Sequence, residues 1–280
     1  MSRPPTFVPP ACARARVLET SRGAFAVLDA LPGGGREVKG TAMLLPGYTG
    51  SKEDFIAMLE PLTVAGYRAV AVDGRGQYES DGPASQEAYA QDELARDVLA
   101  QAAALGGPVH LVGHSLGGQI ARAAVLVDPR PFDTLALISS GPAHITPGQQ
   151  NKVKLLSDAL GTMDMAEVWE AMRALDPPED ADTDGEDLRR RWLRHNPSQL
   201  LATGRQLTVE PDRVDELAAV PLPKLVVSGE RDDTWPVPLL DEMAVRLGAH
   251  RTVIAGAEHS PNTDRPAETA DALIAFWGQY

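Results

Sequence analysis

Length, composition and charge set the first limits on this chain. Its 280 residues are enough for one large domain, and 43% of them are hydrophobic, which is typical of a globular protein. The 26 basic and 39 acidic residues give a net charge of −13, which disfavours contact with nucleic acid or with anionic membrane surfaces. Neither is therefore an expected partner.

The cysteine content and the apolar runs bear on the cellular compartment. Cys12 is the only cysteine, so no internal disulfide can form. The first residues carry prolines and arginines but no apolar run typical of a signal peptide. Nowhere does an apolar run reach the roughly 18 residues of a membrane span. These features predict a soluble protein of the cytoplasm.

Short apolar runs alternate with helical stretches up to Gly141. The predicted strands are 14–19 and 25–31, which form a hairpin, and then 41–45, 68–72, 109–113 and 134–139. The predicted helices between them are 52–65, 86–105 and 116–127. Apolar strands that alternate with helices indicate a doubly wound, mostly parallel sheet covered on both faces, which is an α/β fold.

The alternation stops after Gly141 and resumes near residue 221. The intervening segment predicts helices at 149–160, 165–175 and 186–195, with an acidic, proline-rich loop at 176–185. Strands at 224–228 and 251–255 and helices at 237–247 and 267–279 complete the pattern. We predict a core domain made of 1–141 and 221–280, with a helical cap of 142–220 inserted into it.

A Gly-x-Ser-x-Gly motif over residues 113–117 follows an apolar strand and opens a helix. In that context the motif predicts a sharp turn with Ser115 at its apex and its hydroxyl exposed. Gly113 and Gly117 avoid Cβ clashes there, and the helix N-terminus favours a developing oxyanion. The motif resembles the nucleophile elbow of the α/β-hydrolase family, and the order of elements from about residue 13 to 280 resembles that family too. The resemblance implies an enzyme similar to serine esterases and lipases.

A serine hydroxyl needs a base, and the best candidate among six histidines is His259. It follows the last predicted strand at its carboxyl end, where the ends of parallel strands meet. His110 lies inside a strand, and the side chain of His114 is expected to diverge from that of its neighbour Ser115. Residues 257–261 also resemble the histidine loop of the family.

The third member of a serine triad is a carboxylate that orients the histidine. Residues 229–236 follow the penultimate strand and resemble a Gly-x-x-Asp-x-x-x-Pro turn of the family, which selects Asp232. Asp233 is the adjacent competitor, and Glu230 is a weaker one.

The resemblance also implies an oxyanion hole. The loop after strand 41–45 is similar to the family's oxyanion loop, although Pro46 stands where a histidine is usual. Carried over to this chain, the donors are the backbone N–H groups of Tyr48 and Leu116.

The cap and the acid turn supply candidates for the substrate pocket: Trp169, Met172 and Trp235. Large apolar residues at helical spacing in a cap are more often core than pocket lining. The basic run 189–195 is interpreted as a solvated helix face rather than as an anion site.

No cofactor and no metal is expected. The sequence contains no metal-ligand cluster, and the Gly74-x-Gly76 pair lacks the third glycine of a dinucleotide fingerprint. The predicted partner is a small acyl substrate.

We therefore predict a serine hydrolase that cleaves a carboxylic ester, a thioester or a lactone through an acyl-enzyme. Hydrolysis of a carbon–carbon bond or acyl transfer would use the same triad, so these reactions stay open. A ligand receptor with this fold and negligible turnover is the alternative from another class.

Overall fold

The computed structural model of the protein describes residues 1–35, 37–175 and 185–280. The strands are β1 (Ala13–Thr20), β2 (Gly23–Ala30), β3 (Gly40–Leu45), β4 (Tyr67–Val72), β5 (Val109–His114), β6 (Phe132–Ile138), β7 (Lys224–Gly229) and β8 (His250–Ile254). The helices are α1 (Ile56–Val64), α2 (Gln91–Leu105), α3 (Leu116–Val127), α4 (Pro147–Leu160), α5 (Met165–Leu175), α6 (Gly185–Arg194), α7 (Pro197–Val209), α8 (Val214–Ala218), α9 (Val237–Leu247), α10 (Pro261–Asp264) and α11 (Pro266–Trp277).

In the described part of the chain, eight strands form one sheet in the order β1-β2-β4-β3-β5-β6-β7-β8. The β1–β2 hairpin is antiparallel, and β2 runs antiparallel to β4. From β4 to β8 all neighbours are parallel, so the carboxyl ends of these strands lie at one edge. The predicted α/β class with a mostly parallel sheet is confirmed.

Apolar side chains cover both faces of the sheet, as a doubly wound fold requires. On one face the buried side chains of α1 and α11 pack together, including Leu59, Leu62 and Leu273. On the other face α2, α3 and α9 supply the buried cluster. Strands that are buried on both faces explain the continuous apolar runs in the sequence.

Two predicted helices are shorter than expected. The stretch 52–65 begins with a 3₁₀ turn, Lys52–Phe55, before α1, and the stretch 86–105 is interrupted at Ala90. Ala90 has an extended backbone (φ −55°, ψ 144°), so α2 starts only at Gln91. The apolar periodicity of the sequence continues across both breaks. Periodicity alone therefore could not locate them.

The segment between β6 and β7 contains helices α4 to α8, and no strand occurs in its described residues, 142–175 and 185–220. The sequence did not predict α7, although Asn196 and Pro197 signal its start. The Asn196 side chain accepts a hydrogen bond from the Ser198 N–H at 2.9 Å, and a proline is favoured in the first turn. The predicted acidic loop lies outside the described residues except for Gly185. The assignment of 142–220 as a separate cap stays a prediction.

A buried ion pair and a hydrogen bond connect this segment to α3 at two points. Arg122 of α3 lies 2.6 Å from Glu210, which follows α7, and their side chains are only 3% and 4% exposed. Arg122 also donates to the main-chain oxygen of Pro142 at 2.7 Å, and Gln91 donates to Glu210 at 2.7 Å. The loop before α4 and the residue after α7 are thus both held by α3, the helix that starts beside Ser115.

We predict that Glu210→Ala lowers the free energy of unfolding by roughly 3 to 5 kcal/mol, because it leaves the buried Arg122 guanidinium without its partner. Urea denaturation followed by circular dichroism measures this change. The matched control is Glu216→Ala, which removes an exposed partner of Arg213 and should leave the urea midpoint unchanged. Equal midpoints for both variants and the wild type would contradict the role of the buried pair.

Candidate active site

Ser115 occupies a strained turn between β5 and α3. Its φ is 54° and its ψ is −120°, a backbone region that residues with side chains rarely adopt. A Cβ at Gly113 would come within 2.4 Å of the Gly117 carbonyl oxygen, and a Cβ at Gly117 within 2.4 Å of the Leu45 carbonyl oxygen. The motif glycines are therefore needed for close backbone contact. The turn leads Ser115 directly into the first turn of α3.

His259 lies between Ser115 and Asp232. Its Nε2 is 3.1 Å from the Ser115 Oγ, and its Nδ1 is 3.0 Å from each carboxylate oxygen of Asp232. Both separations are within the range of a hydrogen bond. With Nδ1–H donating to the carboxylate, Nε2 carries the lone pair and accepts the serine proton. His259 thus contacts both other predicted residues, although the three come from separate parts of the chain.

The two neighbouring aspartates differ in their surroundings. The Asp232 side chain is 0% exposed, and it accepts backbone N–H bonds from Thr234 at 2.8 Å and Trp235 at 3.1 Å. The Asp233 side chain is 69% exposed and accepts a bond from Gln149 of α4 at 2.6 Å. In the described part of the chain, Asp232 contacts His259 and Asp233 does not. The geometry therefore favours Asp232 over Asp233 as the orienting acid.

The predicted oxyanion loop lies against Ser115. A Cβ at Gly47 would lie 3.2 Å from the Ser115 Cβ, which brings the following Tyr48 N–H close to the serine. In the described part of the chain, the backbone N–H groups of Tyr48 and Leu116 take part in none of the backbone hydrogen bonds of turns, loops and helix caps. The Tyr48 hydroxyl donates to the Leu200 carbonyl of α7 at 2.8 Å, and burial raises the pKa of this phenol. Tyr48 thereby links the loop after β3 to helix α7.

A cavity of about 460 Å³ opens over Ser115 and His259. Most of its wall is apolar and comes from the inner face of α4 and from parts of α5, α6 and α7. The lining side chains from these helices are Gln149, Lys152, Val153, Leu155, Leu156, Ala159, Val168, Ala171, Met172, Trp192 and Leu207. Helix α4 has no buried residue, and one side of it borders this cavity.

Of the three predicted pocket residues, Met172 lines the cavity, whereas Trp169 and Trp235 do not. Trp169 is 4% exposed and packs inside the cap with Leu188 and Trp192. Trp235 is fully buried, and its indole N–H donates to the Ala143 carbonyl at 2.9 Å. Among helices α4 to α8, the aromatic residue that borders the cavity is Trp192, which packs in the same buried cluster as Trp169 and which the sequence did not single out.

No group of three or more His, Cys, Asp or Glu side chains that could hold a metal ion occurs within residues 1–35, 37–175 and 185–280. Across the same ranges, no helix is both long and apolar enough to cross a membrane.

Comparison with known proteins decides the family. Residues 42–272 match the model described as "Alpha/beta hydrolase family". The chain belongs to the alpha/beta hydrolase family. The predicted resemblance and the predicted fold are both confirmed.

Two relatives and one solved structure illustrate the likeness. The chain is 31% identical to a pimeloyl-[acyl-carrier protein] methyl ester esterase of Aeromonas hydrophila, over 78% of this chain and 88% of the relative. It is 32% identical to a 2-hydroxy-6-oxononadienedioate/2-hydroxy-6-oxononatrienedioate hydrolase of Paraburkholderia xenovorans, over 73% and 72% of the two chains. A hydrolase structure from Pseudomonas aeruginosa matches with a TM-score of 0.76 at 24% identity, covering 95% of this chain and 98% of that one.

These matches confirm the predicted class of activity. The protein is an enzyme, a serine hydrolase of the alpha/beta hydrolase family. The comparisons do not test the individual site residues, whose roles stay predictions based on the geometry above.

We predict that Asp232→Asn lowers kcat by about 10⁴-fold, because the amide favours the wrong imidazole tautomer. Asp233→Asn is the matched control; its side chain is exposed, so kcat should fall by less than about tenfold. Steady-state hydrolysis of one nitrophenyl ester by both variants gives the comparison. A larger loss for Asp233→Asn than for Asp232→Asn would assign the orienting role to Asp233.

Proposed function

We propose that this enzyme hydrolyses a carboxylic ester or a closely related acyl bond, such as a thioester or lactone, through an acyl-enzyme on Ser115. The observation that carries the proposal is the continuous contact from Asp232 through His259 to Ser115 at the floor of an apolar cavity. A serine is inert at neutral pH without such a base, and the contact supplies one.

In the first half of the reaction, the Ser115 oxygen attacks the substrate carbonyl carbon while His259 Nε2 takes the hydroxyl proton. Asp232 stabilises the imidazolium that forms and keeps Nδ1 protonated. Collapse of the tetrahedral intermediate breaks the bond to the leaving group, which departs with the proton from Nε2. An acyl group is then bound to Ser115 as an ester.

In the second half, His259 removes a proton from a water molecule that attacks the acyl carbonyl. The same intermediate geometry forms, and Ser115 leaves with the proton returned from His259. In both halves the backbone N–H groups of Tyr48 and Leu116 stabilise the oxyanion. Each such donor contributes about 10² to 10³ in rate in comparable sites.

The cavity wall supports a substrate with an apolar acyl group. Val153, Leu156, Met172 and Trp192 border the space above the nucleophile. We propose residues 142–220 as a helical cap that supplies this wall and determines which acyl groups fit. The relative from Aeromonas hydrophila is named for a methyl ester, which supports ester hydrolysis as the first reaction to test.

Hydrolysis of a carbon–carbon bond next to a ketone is the second candidate. The relative from Paraburkholderia xenovorans is named for an oxo-dienedioate substrate, and its identity to this chain is as high as that of the esterase. The same nucleophile, base and oxyanion donors would serve that reaction.

A panel of nitrophenyl esters, aliphatic methyl esters, thioesters, lactones and a 1,5-diketone tests the reaction type. We expect measurable turnover with esters, and loss of at least about 10³-fold in kcat for Ser115→Ala. Turnover confined to the diketone would select the second candidate. Binding of esters without Ser115-dependent turnover would support a receptor instead.

We predict that Met172→Ala shifts the preferred acyl chain toward greater length, because it enlarges the cavity wall. Trp169→Ala is the matched control from the same helix; it creates a void inside the cap and should lower the melting temperature without changing the preference. A chain-length series of nitrophenyl esters, measured beside thermal unfolding, separates the two effects. A shift for Trp169→Ala alone would contradict the assigned lining.

The cytoplasmic location remains a prediction from the sequence, and fractionation of cells that express the protein tests it.

A further inference from the structure

We propose that His114, the residue before the nucleophile, is a positioning residue that holds the main chain of His259 so that its imidazole meets Ser115. The inference rests on the proposed function. The evidence for it is one contact that has no part in the mechanism described above. The His114 Nε2 lies 2.9 Å from the main-chain oxygen of His259, which is 145 residues away in the chain.

The imidazole of His114 acts as a neutral donor of a single hydrogen bond. Its side chain is 3% exposed, and burial lowers its pKa to about 4, so it is uncharged near neutral pH. A neutral imidazole has one N–H, and a carbonyl oxygen accepts only, so the proton lies on Nε2. His114 is therefore the donor of this hydrogen bond, and the main-chain oxygen of His259 is the acceptor.

The surroundings of the other ring nitrogen, Nδ1, indicate why a histidine occupies this position. The His114 Nδ1 is buried and has no hydrogen-bond partner among the described residues. A buried acceptor without a partner destabilises a fold, and an apolar side chain of similar size would avoid this cost. The ring also borders the cavity beside Ser115, but the one hydrogen bond that distinguishes it from an apolar side chain is the bond to the histidine loop.

The sheet order explains why such a bond is needed. Strands β6 and β7 separate β5, which precedes Ser115, from β8, which precedes His259. At the usual spacing between strands, the two strand ends are about 14 Å apart. The loop after β8 must therefore cross this distance and stop within 3.1 Å of the serine oxygen. Because Ser115 and His114 are adjacent, the bond from His114 fixes that loop relative to the nucleophile itself.

The test compares His114→Leu with His114→Gln. Leucine removes the donor, whereas glutamine carries an N–H donor the same number of bonds from Cβ as Nε2. We expect His114→Leu to lower kcat by roughly 10- to 100-fold with KM unchanged, since misplacement of about 1 Å at a catalytic group has effects of this size. His114→Gln should recover most of the lost kcat.

His110→Leu is the matched control, from the same strand. His110 is buried, stacks on Trp277 and contacts the Thr134 hydroxyl at 3.0 Å, at the far end of β5 from Ser115. Its replacement should lower the melting temperature and leave kcat unchanged. Equal kcat losses in His114→Gln and His114→Leu, or no loss in His114→Leu, would overturn the positioning role.

The failure of this inference is distinct from a failure of the proposed function. If the wild type shows no turnover that depends on Ser115, the proposed function is wrong and the positioning role fails with it. If the wild type is active and Ser115→Ala is not, while His114→Leu keeps full kcat, only the positioning role is wrong.

Discussion

The backbone of Ser115 is the constraint on which the arrangement of the site depends. A φ of 54° at a residue with a side chain costs about 1 to 3 kcal/mol, and it persists only where the surroundings enforce it. Here β5 on one side and α3 on the other are both buried, and two glycines allow their backbones to approach. The strained turn directs the serine hydroxyl out of the sheet rather than along the direction of the strand.

The remaining functional groups reach this point because the strands around it are parallel. The loops after β3, β5, β7 and β8 all start at the same edge, and they contribute Tyr48, Ser115, Asp232 and His259. Burial of the Asp232 carboxylate is offset by two backbone N–H bonds from its own turn. The carboxylate beside His259 is thus kept away from water without being left unpaired.

The segment between β6 and β7 is bound to this framework by polar contacts at several points. Arg122 of α3 pairs with Glu210, the Tyr48 hydroxyl donates to α7, and Arg191 of α6 lies 2.8 Å from Asp54 with both side chains fully buried. Separation of such a buried pair leaves uncompensated charge, so each pair favours the arrangement in which its two groups meet. We infer that the cavity wall is held in a definite place over Ser115.

The sequence predicted the core fold and the three contacting residues because each of them depends on local signals. A motif at a strand–helix turn indicated Ser115, and a loop histidine at the carboxyl end of the last parallel strand indicated His259. The resemblance of residues 229–236 to the acid turn of the family selected Asp232. The residues of the cavity wall depend on how the cap helices pack against one another, which periodicity does not reveal. Trp169 and Trp192 look alike in the sequence, yet only Trp192 borders the cavity. Arg191 belongs to a run predicted to be solvated, but its partner Asp54 is 137 residues away.

The central claim is that Ser115 is the activated nucleophile, and reaction with a fluorophosphonate tests it most directly. Such reagents modify an activated serine and spare ordinary hydroxyl groups. Intact-protein mass spectrometry should show one adduct per chain, and peptide mapping should locate it on Ser115. An adduct on another residue, or unchanged labelling of Ser115→Ala, would contradict the account.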